Sequence, residues 1–184
     1  MNLDDLKGKL LLATPSMPDP NFKNVAIFIC HYDADGCMGL VINRSQPITV
    51  DSILNDLNIS HEKAVNFPVY AGGPIEPFRG FVLHDHSHHY ETTLSISDDI
   101  HLSTSRDIIE DIALGALQHR YMLLLGYTGW NAGQLEKELA QNDWIIAPAN
   151  KDIIFDTPVS ERWEKSAIQM GVRREMLCDK IGHA

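Results

Sequence analysis

Short apolar runs that are rich in β-branched and aromatic residues predict strands near the start of the chain. We expect strands over residues 9–13, 25–32 and 37–43, and the last two should form an antiparallel hairpin around the turn at residues 33–36. Prolines between the first two strands break regular structure, because each proline fixes φ and biases its predecessor away from helix. Further strands are expected within residues 68–74, where the strand runs into a tight turn, and over 80–84, 94–96, 100–102, 121–125 and 144–148.

Helical periodicity predicts four helices. Thr49 is expected to cap the first, Thr104 to open the second in a capping box with Asp107, and Thr157 to cap the last, which should end near Gly171. The third should follow a glycine-rich turn. Strands come first as hairpins and alternate with helices only later, which favours an α+β fold with a mixed sheet over a doubly wound parallel sheet.

A junction between an apolar strand and a helix is the most informative local pattern. The apolar run at residues 121–125 enters a glycine-rich turn at residues 126–133, and a helix follows. Free N–H groups at such a helix start can hold an anion. The glycine spacing matches neither a dinucleotide nor a nucleoside triphosphate motif, and the acids Glu136 and Glu138 disfavour an anion. We therefore interpret the turn as a packed junction, with Trp130 in the core.

Composition and charge narrow the classes of function. The 184 residues are 44% hydrophobic and 22% charged, as in an ordinary globular domain, and we expect one domain over residues 1–184 with a core from about 8 to 171 and a loosely held tail over 172–184. The formal net charge of -10 argues against direct nucleic-acid binding, since phosphate contacts need Lys and Arg. No apolar run is long enough to span a membrane, and the acidic N-terminus does not resemble a signal peptide, so a cytoplasmic location is expected.

The three cysteines, Cys30, Cys37 and Cys178, make an odd count that suits a reducing compartment. If the first hairpin pairs Tyr32 with Cys37, then Cys30 should lie opposite Gly39 and not opposite the other thiol. We therefore interpret Cys30 and Cys37 as small strand residues rather than a redox pair.

A histidine cluster at residues 84–89 is the densest polar segment. His84 and His86 would share one face of a continuing strand, and imidazole is a common metal ligand. The spacing matches no zinc motif, however, and the cluster runs from a strand end into a loop. We expect a solvated polar loop, no metal and no cofactor, with a site at His84 and His86 as the alternative.

Motifs for covalent catalysis are absent from the sequence. There is no Gly-x-Ser-x-Gly elbow and no Ser-x-x-Lys motif. Arg44 and Arg79 are expected to form ordinary ion pairs with carboxylates rather than to recognise a substrate. We therefore expect a protein without a catalytic centre.

Four ordered blocks of sequence resemble one known family. The blocks are GKLLLATPSM from Gly8 with VAIFIC and GCMGLVIN, then VYAGGP with RGFVLH, then LGYTGWNAGQL, and finally PVSERW ending at Trp163. Together they resemble the YqgE/AlgH family over about residues 8–171. The resemblance implies a bacterial cytoplasmic protein with an α+β domain, in which a bulged, partly folded-over sheet with an N-terminal hairpin packs against about four helices. It supplies no catalytic residue or cofactor, although one branch of the family is named as a regulator of alginate production.

Two hypotheses of function follow. The first is a regulatory or protein-interaction role, with an unknown protein partner and an indirect effect on transcription. The second is a small-molecule or anion-binding protein, or an enzyme, that uses a pocket near residues 126–133. Its pocket candidates are Gly72, Gly73, His84, Thr128, Gly129 and Trp130, which would have to meet in one concave site.

Overall fold

Ten β-strands and four α-helices provide most of the regular structure in the residues that a computed structural model describes, which are 6–85, 88–117, 120–173 and 177. The chain groups into two compact units. Unit 1 combines the segment up to Asn43 with the segment from Thr128 onwards, and unit 2 is Arg44–Tyr127. The predicted α+β fold, a single domain with a mixed, bulged sheet and about four helices, is confirmed.

Unit 1 is built on an antiparallel sheet. Its strands are β1 (Lys9–Ala13), β2 (Ala26–Asp33), β3 (Gly36–Val41), the last four residues of β9 (Tyr121–Asn131) and β10 (Trp144–Pro148), and its α-helices are α3 (Gln134–Ala140) and α4 (Arg162–Gln169). The strand order is β10-β1-β2-β3-β9, and every neighbouring pair is antiparallel. Short 3₁₀ turns at Pro20–Phe22 and Val159–Glu161 and a π-helical turn at Asp152–Asp156 complete its regular structure among the described residues.

Unit 2 is built on a mixed sheet. Its strands are β4 (Ser45–Thr49), β5 (Pro68–Ala71), β6 (Ile75–His84), β7 (Thr93–Ser95), β8 (His101–Ser103) and residues 121–127 of β9, and its helices are α1 (Val50–Asp56) and α2 (Arg106–Ala113). The order is β4-β5-β9-β6-β8-β7, in which β5 and β9 are parallel and the other pairs antiparallel.

Alternate residues of the strands in unit 1 form its apolar core. Leu11, Ile27 and Ile29 are fully buried and pack in one cluster with Trp130 and Trp144. Burying each such side chain stabilises the fold by about 1.5–3 kcal/mol relative to leaving it in water. The prediction that Trp130 lies in the core is confirmed.

Two buried side chains tie helix α4 to the strands of unit 1. Trp163 donates its indole N–H to the carbonyl of Ala13 at 3.0 Å. Arg162, which is 2% exposed, donates to the carbonyl of Thr157 at 2.9 Å and to that of Ile42. A buried guanidinium is tolerated only where acceptors surround it, so these backbone contacts determine where α4 begins.

Both helices of unit 2 pack on the same face of its sheet. Val50 and Leu54 of α1 and Ile108 and Ile112 of α2 share one buried cluster with Leu123 of β9. This packing of both helices on one face places the gap between them over strands β6 and β9.

The glycine-rich turn at residues 126–133 is shorter than predicted. Strand β9 continues through Gly126 and Gly129 to Asn131, so most of the predicted turn is extended strand. The turn itself is confined to the residues just before α3, where Gly133 takes a left-handed conformation with φ 72°. Pairing with β3 and β6 keeps β9 extended, which local glycine content did not reveal.

The position predicted for Cys30 is wrong. Tyr32 does pair with Cys37, as expected, but Ile29 and not Cys30 lies opposite Gly39. A β-bulge between Ile29 and His31 takes up Cys30 as the extra residue.

The predicted cap of the second helix is also wrong. Ser105 and not Thr104 is the N-cap of α2. The carboxylate of Asp107 instead accepts hydrogen bonds from the Ser105 hydroxyl at 2.5 Å and the Glu91 backbone N–H at 2.8 Å. Strand β4 was not predicted. The predicted tail lies largely outside the described residues, and the bounds of the domain core stay a prediction.

Candidate functional site

The glycines Gly72 and Gly73 lie against strand β9 of unit 2. The Gly72 N–H donates to the carbonyl of Leu125 at 2.8 Å. A Cβ atom added to Gly126 would overlap the carbonyl oxygen of Gly73. The two glycines therefore serve close backbone packing, and no open space surrounds this contact.

His84 is a buried, hydrogen-bonded core histidine at the end of β6. It is 0% exposed, its Nε2 lies 3.0 Å from the Ser103 hydroxyl, and its ring packs edge-on against Tyr90. His84 pairs with Tyr121 of β9, whereas Gly73 contacts Gly126, which lies five positions further along the same strand. At about 3.3 Å per strand residue, His84 and Gly73 are separated by roughly 17 Å and do not form one site.

The alternative metal site at His84 and His86 gains no support. His86 lies outside the described residues. Within the described part of the chain, no three His, Cys, Asp or Glu side chains are grouped so that they could hold a metal ion.

The remaining pocket candidates, Thr128, Gly129 and Trp130, lie together in unit 1 and line a cavity of about 280 Å³. We call it the acidic cavity, and the residues that line it include the acids Asp19, Glu138 and Asp143 and the aromatic residues Phe22, Trp130 and Trp144. No lysine, arginine or histidine is among the described residues that line it. The prediction that all six candidates meet in one site fails within unit 2, where His84 lies away from Gly73, and how Thr128, Gly129 and Trp130 lie relative to either stays a prediction.

Glu138 of α3 is held between two tryptophans. Its Oε2 accepts from the indole N–H groups of Trp130 at 2.8 Å and Trp144 at 2.7 Å, and its Oε1 accepts from the Gln134 side chain at 3.0 Å. The two indoles meet edge-to-face with centroids 6.0 Å apart. Hydrogen bonds to a charged acceptor are stronger than neutral ones, so this arrangement fixes the carboxylate in the cavity wall.

Asp143 stands at the start of β10, beside Glu138. Its backbone is fixed, because its N–H donates to the Glu138 carbonyl at 3.0 Å and its carbonyl accepts from Thr14 at 2.9 Å. The residue is 7% exposed, and no donor within the described residues hydrogen-bonds to its carboxylate. Burial, and next the charge of Glu138, raise the pKa of the Asp143 carboxyl above its usual value.

A second cavity of about 440 Å³ lies in unit 2, in the gap between α1 and α2. We call it the apolar groove. Val82, Leu123 and Leu125 of the sheet form its floor, and Ile53, Leu57 and Ile109 form its helical walls. Val82 and Leu123 are nearly fully buried beneath the groove, and its exposed apolar side chains, Leu57 and Phe78, lie at its edges.

An arch in β6 carries one edge of the apolar groove. Residues 76–79 bulge out between the pairs that Ile75 and Gly80 make with β9. Glu76 and Arg79 close the arch with an ion pair of 2.9 Å, which is the ordinary surface pair expected for Arg79. Phe78, also in the arch, is 92% exposed and lines the groove.

The two helices that flank the apolar groove are acidic. Helices α1 and α2 carry five acids, which are Asp51, Asp56, Asp107, Glu110 and Asp111, and a single base, Arg106. Glu110 neutralises Arg106 with an ion pair of 2.7 Å. The two helices that flank the groove are therefore net negative, and Asp56 and Arg106 are the charged side chains among the described residues that line it.

Comparison with known proteins identifies the family. The family model DUF179, described as AlgH-like, matches residues 10–175. The chain belongs to the AlgH-like family. A UPF0301 protein of Pseudoalteromonas translucida is 42% identical over 99% of this chain and 100% of its own length, and one of Vibrio cholerae is 41% identical over 98% and 100%. The resemblance to the YqgE/AlgH family is thus confirmed.

Solved structures show the same AlgH-like fold. The solution structure of the AlgH protein from Pseudomonas aeruginosa is 38% identical, covers 97% of this chain and 96% of its own, and matches with a TM-score of 0.81. A crystal structure of a Corynebacterium diphtheriae protein, 18% identical, matches in fold with a TM-score of 0.71 over 94% of this chain and 91% of its own. In the described part of this AlgH-like chain, no helix has both the length and the apolar character that a bilayer crossing requires.

The sequence did not predict the residues that make one cavity of this AlgH-like chain acidic and the other apolar. Glu138 was noted as an acid that disfavours anions, and Asp143 was not considered. One sequence feature could have indicated an exposed position for Phe78, since it lies between Pro77 and Arg79, where the strand pattern of β6 is interrupted. No local pattern indicates that α1 and α2 leave a gap, because the gap depends on how both helices pack on one sheet face.

Proposed function

We propose that this protein is a non-enzymatic regulator in the bacterial cytoplasm that acts by binding a basic, amphipathic segment of a protein partner in the apolar groove. The observation that carries the proposal is a cavity with a mainly apolar lining between two acidic helices, with a 92% exposed phenylalanine at its edge.

The apolar floor supplies the attraction. Val82 and Leu123 are each 1% exposed and lie under the groove, while Leu57 and Phe78 reach solvent at its edges. Large apolar side chains of a partner would remove Leu57 and Phe78 from water, and aromatic residues of this kind commonly dominate binding energy at interfaces. A helix laid in a groove is a common way to achieve this burial.

The charges determine the class of partner. The acids of α1 and α2 outnumber their one base, Arg106, which Glu110 already neutralises. The net negative charge of these flanking helices attracts lysine and arginine and repels phosphate groups, so it favours a basic protein segment over a nucleic acid. A second copy of this chain, with its formal charge of -10, is disfavoured for the same reason.

The proposal can be tested with a defined probe. A fluorescent helical peptide of leucine and lysine is titrated with the full chain, and a leucine–glutamate peptide of the same pattern is the charge control. We expect saturable binding of the basic peptide, weakened by added salt. Replacing Phe78→Ala and Leu57→Ser together should weaken binding at least tenfold, because both side chains contact the occupant.

Leu114→Ser is the matched control, because Leu114 is 77% exposed in unit 2 and does not line the groove. It should leave the affinity unchanged. The proposal is wrong if the acidic peptide binds equally well, if the basic peptide shows no saturation up to about 1 mM, or if the groove variant binds like the control variant. A dimer of the free chain that Phe78→Ala dissociates would assign the groove to a second copy instead.

A further inference from the structure

The acidic cavity of unit 1 is a second site, separate from the apolar groove and independent of the proposed function. We infer that it binds a small protonated organic amine, whose ammonium group is held by Asp143 and Glu138 and whose carbon chain packs against the surrounding aromatic rings. Nothing in the family resemblance assigns a ligand to this cavity.

The first argument is a largely buried carboxylate without a donor from the described residues. Asp143 is 7% exposed and lines the cavity, yet its carboxylate accepts no hydrogen bond from any described residue. Its oxygens are not completely buried, so solvent remains their source of hydrogen bonds. An ammonium group in the cavity would supply the missing donors and the opposite charge.

The second argument is the electrostatics of the carboxylate pair. Glu138 is held at the cavity by two indole N–H groups and the Gln134 amide. Its charge adds to burial in raising the pKa of the Asp143 carboxyl. Two neighbouring carboxylates repel each other when both are ionised, and a cation between them removes that repulsion. The described lining contains no basic side chain that performs this role.

The third argument distinguishes an organic cation from a metal ion. Phe22, Trp130 and Trp144 form an aromatic wall, with the Phe22–Trp144 and Trp130–Trp144 ring centroids each 6.0 Å apart. Aromatic rings favour organic cations and alkyl chains. No three described metal-ligating side chains are grouped closely enough for a metal ion.

Donor count and size narrow the ligand further. No described residue donates a hydrogen bond to the Asp143 carboxylate. A primary ammonium group has N–H donors that can do so, and a quaternary ammonium group has none. The cavity volume of about 280 Å³ corresponds to roughly nine water molecules at about 30 Å³ each. A ligand of about seven to ten heavy atoms fits this space.

Three probes of equal length test the inference. 1-Hexylamine, 1-hexanol and hexanoate are titrated into the full ¹⁵N- and ¹³C-labelled chain, and binding is followed by chemical shifts. We expect the amine to bind with a Kd on the order of 1 mM or lower, with shifts at the Trp130 and Trp144 indole N–H signals. The alcohol should bind at least about tenfold more weakly, and hexanoate should not bind.

Two variants separate the cavity from bulk charge. Asp143→Asn should weaken amine binding at least about tenfold while leaving hexanol binding unchanged, because only the charge-dependent contact is lost. Asp35→Asn is the matched control, since it removes the same charge from an exposed turn of unit 1 outside the cavity and should have no effect.

The pKa of Asp143, followed by the ¹³C chemical shift of its carboxyl group, distinguishes amine binding from a purely structural role of this residue. Amine binding should lower the pKa of Asp143, since a nearby cation stabilises the carboxylate. Equal binding of all three probes would show an apolar cavity without charge selectivity, and preferred binding of hexanoate would show an anion site. Either result overturns the inference, as does amine binding that Asp143→Asn does not weaken. None of these results bears on the peptide groove in unit 2, so the two proposals succeed or fail separately.

Discussion

Gly126 has no space for a side chain because the backbone of Gly73 occupies the position where its Cβ would lie. Gly126 also has φ 73°, a left-handed conformation in the middle of strand β9. Gly126 lies opposite the arch at residues 76–79 of β6. Its close contact with Gly73 therefore brings the loop after β5 next to this arch. Two glycines far apart in sequence thus determine the local geometry of unit 2.

Replacing Gly126 with alanine should therefore destabilise the fold strongly. The methyl group would clash with backbone atoms, and the left-handed conformation adds strain for any residue with a Cβ. We expect a loss of about 2–4 kcal/mol in the free energy of unfolding, measured by urea denaturation. Gly80→Ala is the control, because a Cβ there meets no atom within 4 Å. Its effect should stay within about 0.5 kcal/mol, and equal losses for the two variants would contradict the explanation.

Removing Glu138 should expose the importance of the double indole contact. Glu138→Ala leaves two buried indole N–H groups, of Trp130 and Trp144, without their acceptor. We expect the free energy of unfolding to fall by about 2–4 kcal/mol, together with a changed tryptophan fluorescence spectrum of the folded protein. Glu164→Ala on the exposed side of α4 is the matched helical control and should change neither quantity appreciably. A Glu138 variant as stable as this control would show that the contact contributes little.

A pH-dependent contribution is expected from His61 and Asp51. The two ring nitrogens of His61 lie 3.0 Å from the Ile59 carbonyl and 2.8 Å from the Asp51 carboxylate. The hydrogen bond to the Ile59 carbonyl and the contact with Asp51 raise the pKa of His61. The hydrogen bond from His61, and next that from the Val65 N–H, lower the pKa of Asp51. Both shifts favour the charged pair in the folded protein.

The signs give a window of pH. The contribution of His61 is complete below its unfolded pKa of about 6.5 and is lost as pH rises through its raised folded pKa. That of Asp51 is complete above its unfolded pKa of about 3.9 and is lost as pH falls through its lowered folded pKa. His61→Gln should therefore destabilise the protein more at about pH 5.5 than at about pH 9 in urea titrations. The exposed His89→Gln is the control, and a His61 deficit that is equal at both pH values would exclude this account.

The two described cysteines should be unreactive in the folded protein. Burial raises the pKa of Cys37 to about 12, with a smaller contribution from Glu136. Burial also raises the pKa of Cys30, which is fully buried, far above that of a free thiol. At about pH 8 only about one Cys37 thiol in ten thousand is ionised, and the thiolate is the reactive form.

Peptide-level mass spectrometry after iodoacetamide treatment checks the cysteine prediction. Cys30 and Cys37 should stay unmodified in buffer and become modified in concentrated urea, which serves as the control for reagent and detection. Rapid modification of Cys37 in the folded chain would instead favour the alternative that Cys30 and Cys37 form a redox pair.

Several elements could be predicted from sequence because their signals are local. The apolar run of β1, the hairpin of β2 and β3, and the cap of α1 at Thr49 depend on residues within a few positions of one another. The errors occurred where distant contacts override local preference. The bulge at Cys30 changes the register of the hairpin, and pairing with β3 and β6 keeps Gly126 and Gly129 in a strand.

The candidate sites show the same division. The sequence by itself determined the α+β class, the family, the acidic balance and the core position of Trp130, since composition, periodicity and motif order are carried by the chain directly. Only the tertiary structure decided that Glu138 bridges Trp130 and Trp144, that Asp143 lines a cavity with no donor from the described residues, and that an apolar groove lies between α1 and α2. Each of these features depends on residues that are brought together by packing, and no local pattern records which surfaces packing will cover and which it will leave open.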